Sequence, residues 1–493
     1  MPSDVIPLSH TKEWEPREKD IKNYIHFDRR IGSKKLKKIC NDPDLVAKHA
    51  FYPLLRFSQE WIRFRGNGSK KVKKKRPIRY AARLDAAIFA KYRSDLSDLY
   101  EKELVRRGLE DVPTAYRRIP KDNSGGNKSN IELARDVFDF IRDVEDCVVT
   151  VVDISSFFEK IDHSKLKKAW IGLLAGEMPP DHSAVFKAVT KYSVVDFEPM
   201  AARLGLYKSV NGTNRYAKRK RRIDEMRDLG HTQICSNQDF RRLICGGSPQ
   251  HPSLIQKNNS DFGIPQGTPI SDLLANIYLL DFDERMHHWA TKRHGIYRRY
   301  SDDIVLIVPS CKITKVLEVK ELLQSEISRE GAELQIKDKK VAVCRFSANG
   351  SNQAFSHIFG EASKNGLEYL GFQFDGKRVS IKDSTLSNAW RKLKRRSYGF
   401  ARRYVRRYRG KGQIWIIENY PFNFLIKKFL LKVTYGQDIG YEVWTFRSYV
   451  RRASNAFSGY ETIFSKQTKK YRSFAEDLLT RDLNLALRRH FKK

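Results

Sequence analysis

Tyr300-Ser301-Asp302-Asp303 sets two adjacent carboxylates between an apolar-aromatic run ending at Tyr300 and a β-branched run, Ile304-Val305-Leu306-Ile307-Val308. Alternating and β-branched segments on either side of a short polar turn favour paired strands, so the spacing predicts a β-hairpin with acids at its tip. Two carboxylates side by side at such a tip repel unless a cation stands between them and solvent. Taken alone, the pair fits a solvated turn better than a metal site, since Asp is a common turn former. A second acidic position changes the balance. Cys147-Val148-Val149-Thr150-Val151-Val152 reads as a buried strand that ends at Asp153, followed by Ile154-Ser155-Ser156-Phe157-Phe158. Meeting across adjacent strands, the three aspartates would share two cations. Mg²⁺ suits them, because it takes hard oxygen ligands, few of them from protein, and fills its shell with water and substrate phosphates. Such a pair of metals serves in-line phosphoryl displacement, one at the attacking oxygen and the other at the leaving one.

Between these positions lies Gly263-Ile264-Pro265-Gln266-Gly267-Thr268-Pro269-Ile270-Ser271, which runs into Leu273-Leu274-Ala275-Asn276-Ile277-Tyr278-Leu279-Leu280. Gly and Pro allow close backbone approach to a ligand, and the apolar stretch predicts a buried helix. The order Asp with Phe-Phe, then Pro-Gln-Gly, then Tyr-x-Asp-Asp resembles the palm of reverse transcriptases, in the motifs lettered A, B and C. Lys340 resembles the motif D lysine, Leu370-Gly371-Phe372 the motif E primer grip, and Arg76-Pro77-Ile78 the fingers motif that holds the triphosphate. The resemblance covers roughly residues 60 to 375, and several motifs in the right order arise by chance far less often than any one of them.

The resemblance implies an α+β right-hand polymerase with fingers, a ferredoxin-like palm and a helical thumb. It implies RNA-directed DNA synthesis from dNTPs, with an RNA template and a DNA product. The metal set it implies is Asp153, Ile154, Asp302 and Asp303, holding two Mg²⁺ ions with Mn²⁺ as a substitute; Asp153 and Asp302 ligate both ions and Asp303 supports them. Lys340 joins the aspartates as the catalytic group that protonates departing pyrophosphate, with Lys337 and Lys339 as competitors for the role. Phe158 matches the bulky position that collides with a ribose 2′-OH, whereas Phe157 reads as core. Gln266, Gly267 and Tyr300 complete the nucleotide pocket. Arg76, with Lys75 or Arg79 beside it, would clamp the triphosphate through a guanidinium fork; the run 70–79 is basic throughout, so a plain phosphate-binding face is the alternative.

A formal net charge of +36 over 493 residues, with a pI near 9.9, is the electrostatic footprint of a protein with a polyanionic partner. Membrane attachment is the rival explanation for so much positive charge. No apolar run reaches spanning length, and residues 1–20 lack the basic and apolar regions of a signal peptide. The cysteines (Cys40, Cys147, Cys235, Cys245, Cys311, Cys344) are scattered without a Cys-x-x-Cys pair, so a reducing cytoplasm is the expected location. His231, Cys235, Cys245 and His251 lack the close ligand pairs of common structural zinc sites and read as unrelated residues.

The length implies more than one domain. Residues 1–60 read as an N-terminal extension packing on the fingers, 61–145 as fingers, 146–375 as palm with an insertion near 196–258, and 376–493 as a helical thumb and basic C-terminal domain. After Arg76, Leu84, Ile88, Tyr92, Leu96 and Leu99 recur at helical spacing with Asp85 and Arg93 on other faces, and residues 129–140 predict a second helix. The insertion carries Lys218-Arg219-Lys220-Arg221-Arg222, which fits a solvated loop and a nucleic-acid contact equally. In the C-terminal part, Phe400, Tyr404 and Tyr408 repeat every four residues along one helix face, flanked by Arg402, Arg403, Arg406, Arg407 and Arg409. The aromatics are assigned to the thumb core and the arginines to the template-primer or a structured RNA, since phosphate contacts dominate affinity.

Within the reverse transcriptases, the chain is most similar to the bacterial defence-associated enzymes of the abortive-infection and "unknown group" lineage. That likeness lies in the fingers segment, the Pro269-Ile270-Ser271 continuation and the helical C-terminus. It implies anti-phage activity with an associated non-coding RNA or protein priming, and leaves oligomerisation open. A retron enzyme is disfavoured because no Asn-Ala-x-x-His segment occurs and Val433-Thr434-Tyr435-Gly436 only approximates a Val-Thr-Gly triplet. A group II intron protein would add a maturase region. An RNA-dependent RNA polymerase would carry Gly-Asp-Asp and a smaller group at Phe158, and a non-catalytic RNA-binding scaffold would not need all three carboxylates.

Overall fold

The computed structural model describes residues 13–62, 73–121, 125–206, 226, 230–431, 434–436, 441–443 and 445–491. The cluster at 218–222 and Val433 lie outside the described residues. Strand β1 (Leu54–Ile62) pairs antiparallel with β2 (Lys73–Tyr80), with Leu55 opposite Tyr80 and Gln59 opposite Arg76. The helix Arg83–Arg107 follows, and it buries Ile88, Tyr92 and Leu96 as the periodicity predicts. Asp85, expected on another face than the apolar stripe, is buried too, and it accepts hydrogen bonds from His49 Nε2 at 2.7 Å and the Tyr52 N–H at 2.9 Å, which together tie the helix to the preceding loop.

A capping box at Ser129 and Glu132 starts the helix Asn130–Val144, which delivers the chain to β3 (Cys147–Asp153). Beyond β3 the chain leaves the palm. Strand β4 (Ser193–Asp196) runs parallel to β1 and pairs with β5 (Ile255–Lys257), giving a four-stranded sheet in the order β2-β1-β4-β5. The described parts of the segment expected as a palm insertion at 196–258 are therefore built onto this sheet. Val195, Phe197, Met200, Ile234 and Ile244 bury there against Ile25, Phe27 and Leu55, an association across the sequence that no local period records.

The chain returns through the helices Ser271–Tyr278 and Leu280–Thr291 to β6 (Ile296–Tyr300) and β7 (Asp303–Pro309). The helix Glu318–Ser328 then leads to β8 (Val341–Asn349) and β9 (Asn352–Gly360). The five-stranded order is β6-β7-β3-β8-β9. With helices before β6 and between β7 and β8, strands β3, β6, β7 and β8 carry the βαββαβ connection, and the palm is ferredoxin-like.

This sheet is covered on both sides, which is why its central strands are apolar at nearly every position. Val148, Val152, Ile304, Leu306 and Val308 enter a core with Leu273, Ile277, Met286 and Leu323. Their neighbours Cys147, Val149, Val305 and Ile307 face the helix Asn130–Val144 and a small sheet of β10 (Leu367–Tyr369), β11 (Phe372–Phe374) and β12 (Arg378–Ile381). A separate core, including Leu393, Ala401, Val405, Leu478 and Leu479, joins the long helices Asp383–Tyr408 and Tyr471–Phe491 in a helical C-terminal unit. The fold is α+β, in a right-hand polymerase arrangement. Among the described residues, no helix is long and apolar enough to cross a membrane.

Candidate active site

The ladder between β3 and β7 runs unbroken to the strand ends, so Asp153 stands directly opposite Asp303. Both residues share the parity of Val149 and Val305, and strand alternation sends their side chains to the same face. The turn between β6 and β7 adds Asp302, whose carbonyl oxygen accepts the Ile154 N–H at 3.0 Å. At that turn Ser301 adopts φ +61°, a left-handed conformation unfavourable for a side-chain-bearing residue. What holds it there lies behind the strand.

Arg299 is fully buried and forks onto Asp283 at 2.7 and 2.5 Å, with further donations to Asn276 Oδ1 at 3.0 Å and the Ser301 carbonyl at 3.2 Å. The Tyr297 hydroxyl donates to the same Asp283 carboxylate at 2.8 Å. Backbone bonds from Arg299 N–H to the Val112 carbonyl and from Thr114 N–H to the Arg299 carbonyl, at 2.9 and 2.8 Å, attach the fingers segment to the hairpin. The Tyr116 hydroxyl then reaches Ser301 Oγ at 3.3 Å. A satisfied buried charge network of this kind fixes one conformation of the turn.

The three carboxylates are crowded. Burial, then the charges of Asp302 and Asp153, push the Asp303 carboxyl up to about 7, and burial followed by Asp153 raises Asp302 above its ordinary value. Lys340 Nζ is bonded to Asp153 Oδ1, and Lys382, itself paired with Glu368 at 2.6 Å, adds a favourable charge near Asp303. The donors, carboxylate oxygens beside a backbone carbonyl, suit a hard divalent cation, and the raised carboxyls mark negative charge that the protein itself leaves uncompensated. Among the described residues no three acidic, His or Cys side chains converge tightly enough to enclose an ion. Asp153 is turned instead onto Lys340.

A cleft of about 400 Å³ is lined by Phe158, Gln266, Gly267, Tyr80, Tyr116, Tyr24, Lys22 and Asp272, among others, and its Tyr116 reaches Ser301 of the turn that carries Asp302. Phe157 is buried in the core while Phe158 is half-buried and faces this cleft, the division expected from the sequence. Gly267 has φ +117°, and a Cβ there would stand 2.3 Å from the Arg79 carbonyl oxygen, so no other residue fits. The Arg79 N–H donates to the Gln266 carbonyl at 3.2 Å, which closes β2 onto this loop. Tyr300 is half-buried at the end of β6, opposite Asp303.

Arg79 corrects the expectation of a phosphate-facing cation. It is buried, and its guanidinium forks onto Glu159 at 2.6 and 3.1 Å, locking β2 to the short helix that carries Phe158. Arg76 and Lys75 occupy β2 opposite Gln59 and Glu60, and their side chains lie outside the described residues. Arg402, Arg403, Arg406 and Arg407 are all exposed on the C-terminal helix. Sequence reasoning missed Lys22, Tyr24, Tyr116, Asp283 and Lys382, which reach the site from distant segments. Only Asn276 carried a signal, as a polar residue inside an otherwise apolar helical run.

No family model matches the chain. Over 80 residues it is 40% identical to the Retron Ec86 reverse transcriptase of Escherichia coli, a stretch amounting to 16% of this chain and 24% of that protein. The match thus spans about a quarter of the retron enzyme's length. Among solved structures, the chain is similar to apo telomerase from Candida tropicalis truncated from its C-terminal domain, at 12% identity and TM-score 0.37, covering 66% of this chain and 55% of that one. Telomerase from Candida albicans with a TWJ fragment of telomeric RNA overlaps it at 12% identity and TM-score 0.34, over 91% of this chain and 64% of that one. The fold assignment rests on strand order and connection, not on these overlaps.

Proposed function

We propose that this protein is an RNA-directed DNA polymerase. The observation that carries the reading is the meeting of Asp153, Asp302 and Asp303 at the ends of β3 and β7, joined through Ser301 and Tyr116 to a cleft walled by Phe158 and Gly267. Two magnesium ions held by Asp153, Ile154, Asp302 and Asp303 would lower the charge barrier to attack of a primer hydroxyl on the α-phosphate and to departure of pyrophosphate. Gly267 and Gln266 offer a backbone floor on which the incoming nucleotide and its template base lie. Phe158 stands beside the sugar and excludes a 2′-hydroxyl. Lys340, whose Nζ is bonded to Asp153, would hold the proton that the pyrophosphate oxygen takes up.

The exposed arginines of the C-terminal helix and the charge of +36 support nucleic-acid substrates. The motif likeness to defence-associated enzymes supports a role in anti-phage immunity, with a dedicated non-coding RNA or protein priming. A retron-type enzyme is the second reading, favoured by the 40% identity over 80 residues to Retron Ec86 reverse transcriptase. Primer extension by the purified protein with dNTPs or rNTPs, on RNA and on DNA templates, tests the proposal. Incorporation of dNTPs on RNA is expected; use of rNTPs alone would identify an RNA polymerase, and no incorporation under any pairing would leave a binding scaffold.

A further inference from the structure

The C-terminal half of the Asp383–Tyr408 helix carries a continuous line of rings. Phe400, Tyr404 and Tyr408 follow one another with centroids 6.0 and 4.8 Å apart, and Trp415, beyond the next turn, continues the line 5.4 Å from Tyr408. Their undersides are fixed: Tyr420 packs edge-on against Phe400 and Tyr404 at 6.0 and 5.3 Å, and the Tyr404 hydroxyl donates to the Asn419 carbonyl. Yet all four rings are only half-buried. All four also pack against the core of the C-terminal unit, as expected from the sequence for Phe400, Tyr404 and Tyr408.

Arg403 and Arg407 are exposed along one flank of these rings, Arg402 and Arg406 are exposed farther round the helix, and none of the four makes an ion pair with a carboxylate among the described residues. The Arg407 guanidinium lies 5.4 Å from the Tyr408 ring centroid. Four residues of helix advance the line by about 6 Å per ring, and Arg403 and Arg407 repeat at the same spacing in a row beside it. Base faces stack on aromatic rings whatever the base, while flanking guanidinium groups follow the phosphates; the two together distinguish a single-strand track from a plain charged surface.

We infer that this stripe binds single-stranded nucleic acid, with bases on the rings from Phe400 to Trp415 and phosphates on the adjoining arginines. None of these residues lines the catalytic cleft, so the site does not depend on the polymerase reading. Single-stranded RNA and single-stranded DNA share the chemistry, and a duplex, whose bases are covered, does not.

The test uses the full chain with fluorescent oligo(U), oligo(dT) and a duplex, each of about 16 nucleotides. Tyr404→Leu and Tyr408→Leu are each expected to weaken single-strand binding about tenfold with the salt slope and duplex binding unchanged, and Tyr408→Phe to retain wild-type affinity. Arg403→Gln with Arg407→Gln should instead reduce the slope of log affinity against log salt by about 1.4. Should the leucine variants also melt at lower temperature, photocrosslinking of an iodouridine-labelled strand to the wild-type protein decides, with adducts expected between residues 400 and 415. Wild-type affinity in the leucine variants, equal loss of duplex and single-strand binding, or adducts confined to the cleft would each overturn the inference. The oligonucleotide retained more tightly, RNA or DNA, names the strand.

Discussion

Asp303 carries the strongest sign that the corner of carboxylates would accept a cation. Its folded pKa of about 7 lies above the ordinary 3.8, so between those values the folded state holds a proton that the unfolded chain has lost. Metal-free stability attributable to this group therefore falls as pH rises from about 4 to about 7. Asp303→Asn removes the penalty, and its metal-free melting temperature is expected to exceed that of the wild type by about 2–4 °C above neutrality, with little difference in acid. Paired with Asp302→Asn, the same change is expected to lower nucleotide incorporation by about 10³-fold or more while oligonucleotide binding persists, which gel shift beside primer extension would measure. Polymerisation surviving in that double variant would sink the metal assignment. Phe158 makes a separate claim: cutting it to Val or Ala opens the cleft beside the sugar, so the preference for dNTP over rNTP in side-by-side kinetics should fall by about 10- to 100-fold. Unchanged discrimination would make Phe158 a packing residue only.

At the scale of elements, the hairpin is held from behind. Removing one partner of the Arg299–Asp283 pair leaves the other buried and uncompensated, so Arg299→Met is expected to cost about 3–5 kcal/mol in denaturant unfolding. Replacing both by apolar residues should cost less, a contrast that separates the pair's role in stability from its role in posing Ser301 and Asp302. The N-terminal segment is tied to β2 in a similar way by His26, a fully buried ring whose Nδ1 accepts the Phe27 N–H at 2.8 Å and whose Nε2 faces the Tyr80 carbonyl at 3.3 Å. Burial holds its pKa down at about 3 against an ordinary 6.5, so the unfolded chain takes up a proton first as pH falls. Stability is expected to drop by about 1 kcal/mol per pH unit below about 6.5. Urea titrations at successive pH values would show it, and His26→Gln should flatten that limb.

For the whole molecule the charge of +36 is the governing quantity. Self-repulsion at that level is relieved by a polyanion, and neutralising phosphates releases counterions, so binding weakens steeply with salt. The protein is expected to purify from gently lysed cells with nucleic acid that high salt strips away, and sequencing that material would tell a defined transcript from random cellular RNA. A protein that emerges free of nucleic acid at low salt would confine the basic surface to transient substrate contacts.

The sequence by itself determined whatever depends on neighbours along the chain. Apolar runs at 147–152 and 304–308 read as buried strands, and the structure has them as central strands with Asp153 and Asp303 at their ends. Turn chemistry placed the Tyr300–Asp303 hairpin, and helical spacing gave the stripes at Ile88 and Tyr404. Tertiary structure alone decided how distant segments share an environment. Arg79 and a phosphate-binding arginine look the same in sequence; Glu159, on the short helix that carries Phe158, accepts its guanidinium fork and makes it a buried brace. Strands β4 and β5 went to the fingers because Ile25, Leu55 and Val195 bury together, and the cleft drew Lys22 and Tyr116 from segments without any motif. Burial and charge pairing act through space, and only the folded chain sets which groups meet.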